Sequence, residues 1–303
     1  MITIIGNILH SVFQAAFLLA IVRMTIPILL AAMGDLYCER TGVLNIGMEG
    51  MMIIGAFAGF LGAFYGGSPY VGFFFAVFCG LICGGLYALL VVILGCNQVV
   101  ASLGFNMFGL GITSTMYKFL FGITTDLHST ENMPLLFGQN IFFYIAVIAV
   151  PVSSFIFVYT KWGLKLRAIG EYPRAAATVG VNVYLNRTMT CLISGAFSAL
   201  GGAFLTIGGL GYFRDNMVAG RGFIAFAAVI FGKYNPLGTM IGCILFGFAD
   251  ALQLNLQALG VKMPANFFIM LPYLITIAAL LVLARKKSFV PRSQGQHYVK
   301  GAR

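Results

Sequence analysis

The stretch Tyr70–Leu94, YVGFFFAVFCGLICGGLYALLVVIL, runs for 25 residues without one charged side chain. As an α-helix it would extend about 37 Å, enough to cross a hydrocarbon core about 30 Å thick. Apolar runs of comparable length, some with a single charged residue, recur at 43–65, 99–121, 140–160, 188–211, 236–257 and 264–284. They leave few charges to wet a surface: 9% of residues are charged and 60% hydrophobic, and the mean hydropathy is +0.97. A soluble domain carries about a quarter charged residues, so a soluble enzyme, a nucleic-acid binder and a disordered tail are excluded. The chain reads as an all-α, polytopic membrane bundle forming one domain over 1–303.

Outward from that stretch, three segments break the pattern. The run at 4–33 is interrupted by Arg23 and Pro27, and a polar junction, Asp35 to Arg40, separates it from the next. Counted whole, it gives nine spans with the N-terminus outside; split at the interruption, it gives ten with both ends inside. Near 42–50, three glycines, Asn45 and Glu49 stand where a helix should begin. Near 220–231, Gly220-Arg-Gly222 precedes only nine clean apolar residues within a run at 216–232. Interrupted or short helices in both halves of a membrane protein point to a transport site between the halves.

The net charge of +10 is placed by topology. The tail 285–303 holds Arg285, Lys286, Lys287, Arg292, Lys300 and Arg303 and no acid. The segment 161–187 holds Lys161, Lys165, Arg167, Arg174 and Arg187 against Glu171 alone. Such excess marks the cytoplasmic side and an affinity for anionic membrane lipid, with no nucleic acid implied. The linker 122–139, with Asp126, His128 and Glu131, suits the outside. The six cysteines form no metal-binding spacing, and no phosphate-binding loop or hydrolase motif occurs. No catalytic residue and no metal ligand is expected.

Polar residues inside spans are the candidates for a solute path, since a buried ionisable group has to face protein or water. Asn45, Glu49 and Met52 share a helical face; Asp250, Gln253 and Gln257 make a second stripe; Ser102 and Asn106 make a third. Carboxylates and amides suit a polyhydroxyl or nucleobase solute. The same groups also suit hydrogen bonding between helices, and both readings stay open. Asn45, Glu49, Asn106, Asp250 and Gln253 are the path candidates.

Within 161–187, Pro173 can open a short helix, with Glu171 near its positive end and Gly180 placed to close it. Here the residues resemble a known family. Arg174–Gly180, RAAATVG, resembles the coupling loop of ABC transporter permeases, with arginine where that loop often has glutamate. Leu166–Ala177, LRAIGEYPRAAA, resembles the subfamily for simple sugars, nucleosides and branched-chain amino acids. Glu39–Gly50 (ERTGVLNIGMEG), Asn97–Asn106 (NQVVASLGFN), Gly220–Gly238 (GRGFIAFAAVIFGKYNPLG) and Leu245–Gln253 (LFGFADALQ) agree with it. The Asn45–Glu49 block looks like the nucleoside group served by basic-membrane-protein-type receptors, and the length resembles the shorter permease of an unlike pair.

The resemblance implies a bacterial inner-membrane importer subunit with a cytoplasmic C-terminus, cycling by alternating access. It implies a second, unlike permease, an ATP-binding cassette ATPase and an extracytoplasmic receptor lipoprotein. This chain would bind no cofactor, ATP and magnesium being held by the ATPase. Arg167, Gly170, Glu171, Pro173, Arg174, Ala175, Ala176 and Gly180 would form the ATPase contact. A permease for a simple sugar such as a pentose, and more remotely a stand-alone secondary transporter, are the alternatives.

Overall fold

A computed structural model describes residues 15–122, 128–258 and 290–299. Ten α-helices follow in chain order: α1 Ala15–Arg40, α2 Met48–Gly66, α3 Pro69–Ala88, α4 Gln98–Phe121, α5 Ile141–Tyr159, α6 Lys161–Glu171, α7 Pro173–Thr178, α8 Val183–Leu205, α9 Arg221–Phe231 and α10 Pro236–Ala258. A π-helical turn extends α3 through Leu89–Ile93, and another extends α8 through Thr206–Leu210. The architecture is all-α; among the described residues, isolated bridges such as Ser129 with Tyr212 are all that resembles β-structure.

Seven of these helices are long and apolar enough to cross a membrane. The expected run at 216–232 instead yields only the 11-residue α9, and the run at 264–284 lies outside the described residues. The supposed polar junction Asp35–Arg40 is also no junction. It is the last part of α1, and Asp35 and Glu39 are fully buried there. Pro27 lies inside the same helix without ending it, so the described part of the first run is one helix.

Polar residues at the ends explain where the helices start. Asn97 accepts from the backbone N–H of Val99 and Val100 at 3.0 and 3.2 Å, Thr160 from Gly163 at 3.0 Å and Asn182 from Leu185 at 3.0 Å. Each satisfies an N–H that lacks an intrahelical acceptor.

Helix α8 is the hub, packing on α1, α2 and α3. Glycine sets the separations: a Cβ on Gly202 would lie 1.8 Å from the Met52 carbonyl oxygen, and one on Gly55 would lie 2.2 Å from the Ala199 Cα. With no solvent-driven attraction between helices in lipid, such close backbone approach maximises dispersion contact. The outward faces stay apolar, with Phe74, Phe78, Met107, Phe119 and Phe155 exposed.

Candidate functional site

Between α1 and α2 the chain is not helical over 41–47, yet it is largely buried. Buried polar backbone without a partner is costly, so its groups need protein partners. Helix α4 supplies them from residues one turn apart. The Gln98 Oε1 accepts from Leu44 N–H at 2.7 Å, and the Ser102 Oγ from Ile46 N–H at 3.2 Å. Asn106 does both jobs: its Oδ1 accepts from Gly50 N–H at 2.8 Å, and its Nδ2 donates to the Ile46 carbonyl at 3.0 Å. The Tyr87 hydroxyl donates to the Leu44 carbonyl at 2.6 Å. Asn45 folds back onto Gly47 N–H at 3.0 Å and donates to Ser194 on α8 at 2.9 Å.

Glu49, in the first turn of α2, joins this segment to the second irregular region. Its two carboxylate oxygens accept from the backbone N–H groups of Gly220 and Gly222, each at 2.8 Å. These amides open α9, so the carboxylate caps the positive end of a short helix from a distant part of the chain. Gly222 is required by closeness: a Cβ there would stand 2.6 Å from the Glu49 nitrogen. Gly220 has φ +84°, a conformation that a side chain would strain. The two glycine-rich interruptions of the sequence thus meet at one buried carboxylate.

Arg221 follows directly, and it is the residue that the sequence reading passed over. It is within electrostatic reach of both Glu49 and Asp250, and it donates to the Met217 and Val218 carbonyls at 3.2 and 3.0 Å. Asp250 and Gln253 sit half-buried on α10. The signal was present in Gly220-Arg-Gly222, but an arginine beside a glycine does not announce a carboxylate 172 positions earlier, at Glu49.

Arg221 also lines a cavity of about 510 Å3 together with Arg23, Asn132, Gln139, Asn140 and Phe204. Its volume is in the range that holds a small organic ligand. The structure therefore divides the five path candidates. Asn45 and Asn106 are committed to unwound backbone, Glu49 to the start of α9, and Asp250 and Gln253 lie on the α10 stripe; none of the five lines the cavity.

The segment with the expected ATPase contact forms α6 and α7. Tyr172 separates them, and Gly180, at φ +84°, ends the second, where Val181 N–H bonds to the Ala176 carbonyl at 3.1 Å. Glu171, Arg174, Ala175 and Gly180 are exposed, and Arg167 and Pro173 half-buried. Gly170 and Ala176 are buried, Ala176 in a small cluster with Ile169, Val183 and Tyr298. The segment, a compact knob, thus exposes Glu171 and Arg174 and is fastened through Gly170 and Ala176.

A bundle of membrane-length helices, with two broken segments joined across its interior and a cavity that mixes apolar walls with a few polar side chains, defines a multi-pass membrane transport protein. Residues 17–280 match the family described as branched-chain amino acid transport system / permease component, and the chain belongs to that family. It is 33% identical to the guanosine ABC transporter permease protein NupQ of Bacillus subtilis, over 91% of this chain and 94% of that one. It is 32% identical to the nucleoside ABC transporter permease protein NupC of Lactococcus lactis, over 90% and 93%. A putative glucose ABC transporter permease, TsgC13 of Haloferax volcanii, is 34% identical over 84% and 82%. No solved structure matches the chain.

Proposed function

We propose that this chain is a translocation subunit of an ATP-driven importer of nucleosides in the bacterial inner membrane. The observation that carries the reading is similarity over some nine-tenths of both chains to permeases named for guanosine and nucleosides. The relatives also include a second guanosine permease of Bacillus subtilis, NupP, at 27% identity. That supports an unlike permease pair, in which this chain is one half. An ATPase would bind the knob of α6 and α7 on the cytoplasmic side, and a receptor lipoprotein would deliver solute outside. The basic segment 161–187 and the basic tail 285–303 support a cytoplasmic C-terminus.

In this reading Asn45, Glu49 and Asn106 frame the path by holding its irregular walls. Asp250, Gln253 and Arg221 offer the polar groups that a nucleoside's hydroxyls and base edges can engage. ATP-driven movement of the knob shifts the broken helices, and the path opens alternately to the two sides. A nucleoside offers neutral hydroxyls and base edges, to which the Gln253 amide, the Asp250 carboxylate and the Arg221 guanidinium can each hydrogen-bond.

The test is uptake of labelled guanosine, inosine and ribose by proteoliposomes carrying both permeases, the ATPase and the receptor. ATP-dependent uptake of the nucleosides and not of ribose is the expected result; uptake of sugar alone refutes it. The glucose-named relative supports the sugar reading as the second one. Uptake by this chain alone under an ion gradient would instead identify a secondary transporter.

A further inference from the structure

Residues 290–299 were expected to be part of a basic tail held near the membrane by charge, yet they are packed into the fold. Ser293 is only 2% exposed. Its N–H donates to the Gly170 carbonyl at 2.9 Å, and its hydroxyl donates to the Gly170 and Ile169 carbonyls at 2.7 and 3.1 Å. Those carbonyls close the C-terminal turn of α6, where helix acceptors lack intrahelical partners. Arg292 lies over the Tyr172 ring at 5.3 Å, bonds its hydroxyl, and approaches Glu171 at 3.8 Å. One end of this segment therefore grips the knob.

Two and three residues on, the same segment grips the unwound stretch between α1 and α2. The Gly295 N–H donates to the Gly42 carbonyl at 3.1 Å, and the Gln294 amide bonds the Glu39 carboxylate. Gly42 has φ +79° and no room for a Cβ, which would stand 2.3 Å from the Ser293 Oγ. Arg187 of α8, itself 2% exposed, fastens the assembly from behind. It donates to the Thr41 carbonyl at 3.1 Å, to the Gln296 carbonyl at 3.0 Å and to the Ser293 Oγ at 3.4 Å. Farther along, the Tyr298 ring meets the Tyr184 ring at 5.3 Å, and the Tyr184 hydroxyl donates to the Tyr298 carbonyl at 3.1 Å.

We propose that residues 291–298 are a strap that completes the ATPase-facing knob and transmits its position to the unwound segment 41–47. A tail that merely anchors the chain needs one attachment. This one is tied to α6, to Tyr172, to the end of α1 and to Gly42 within a few residues. Most of the links use backbone groups or buried polar side chains, whose directionality transmits displacement in a way that surface charge attraction does not. Gly170 adds a direct abutment, since a Cβ there would stand 2.2 Å from the Arg40 carbonyl oxygen. The strap extends that contact two residues farther, to Gly42, next to the backbone that Gln98, Ser102 and Asn106 hold.

The inference rests on the ATPase-coupled reading above, so its test separates the two. In proteoliposomes with the full complex, ATP hydrolysis and guanosine uptake are measured in the same vesicles. A chain ended at residue 289 is expected to keep hydrolysis within about twofold while uptake per ATP falls about tenfold, the strap's buried hydrogen bonds being lost together. The double variant Arg292→Ala/Ser293→Ala is expected to lower that ratio about threefold, its backbone links remaining. An unchanged ratio in both overturns the proposal; if the shortened chain fails to reach the membrane, the double variant decides alone. Should the parent complex carry no guanosine, the transport reading falls and the strap is judged on the isolated chain. Backbone hydrogen exchange over 42–47 should then rise about tenfold in the double variant, and unchanged exchange overturns the strap.

Discussion

Replacing Glu49 by glutamine tests whether the carboxylate holds the two broken segments together. The native oxygens each accept a backbone N–H at 2.8 Å, from Gly220 and Gly222. Glutamine keeps one acceptor and turns an NH2 toward the other N–H, so one charge-assisted bond becomes a meeting of two donors. A hydrogen bond to a charged group contributes about 1.5–3 kcal/mol. The attraction between the carboxylate and the start of α9 adds about 0.5–1 kcal/mol. The sum, about 2–4 kcal/mol, corresponds to opening of the α9 start some 30- to 1,000-fold more often. Hydrogen exchange of the amides over 220–224 in detergent reads this directly, and reconstituted uptake should fall with it. Glu49→Asp, shorter by one methylene, should reach only one amide and fall between. Exchange and uptake equal to the parent in Glu49→Gln would refute the capping role of the carboxylate.

Three further outcomes follow from the packing. Asn106→Leu should lower thermal stability by about 2–4 kcal/mol, since Gly50 N–H and the Ile46 carbonyl lose their partner in a dry setting; an unshifted detergent melting curve would contradict the clamp. Gly202→Ala should abolish recovery of folded protein, its Cβ meeting backbone at 1.8 Å, whereas Gly104→Ala, with nothing within 4 Å, should be recovered like the parent. Equal recovery of the two would show that the α2–α8 separation is not set by glycine. In a cysteine-free background, Phe137→Cys, at a site 98% exposed, should react with an impermeant maleimide added outside, and Val179→Cys, at 79%, only after permeabilisation; the reverse pattern would invert the topology.

Much of this was legible in the residues. Period and length identify the spans because lipid imposes one rule on every crossing segment, namely internal hydrogen bonding of the backbone. Asn97, Thr160 and Asn182 start helices by local chemistry, and Gly180 ends one by tolerating a positive φ, all within a few positions. The interruptions at 42–50 and 220–231 also showed, since glycine and charge inside an apolar run violate that rule where they stand. The expected junction Asp35–Arg40 is helix instead: two acids in a run argue against a buried helix, yet here both are buried in α1, with a hydrogen bond supplied to Glu39 and none to Asp35 among the described residues. Gln294 of the strap bonds Glu39 there, from 255 positions away.

The sequence by itself determined the class of molecule, the helix starts at Asn97, Thr160 and Asn182, the interruptions near 42–50 and 220–222, and the family to which the blocks around Asn45, Pro173 and Arg221 belong. Each of these depends on neighbours in the chain or on the solvent around it. Tertiary structure alone decided that Glu49 caps α9, that Asn106 and Ser102 hold backbone, and that residues 291–298 pack against the end of α6 and the stretch beside Gly42. Those pairings join residues 56 to 255 positions apart, and a carboxylate or amide carries nothing in its chemistry to say which distant N–H it will meet. The close packing of α2 against α4 and α9, where a Cβ on Gly50 would stand 2.5 Å from the Phe105 carbonyl oxygen and one on Gly222 2.6 Å from the Glu49 nitrogen, brings the first two sets of partners within hydrogen-bond reach.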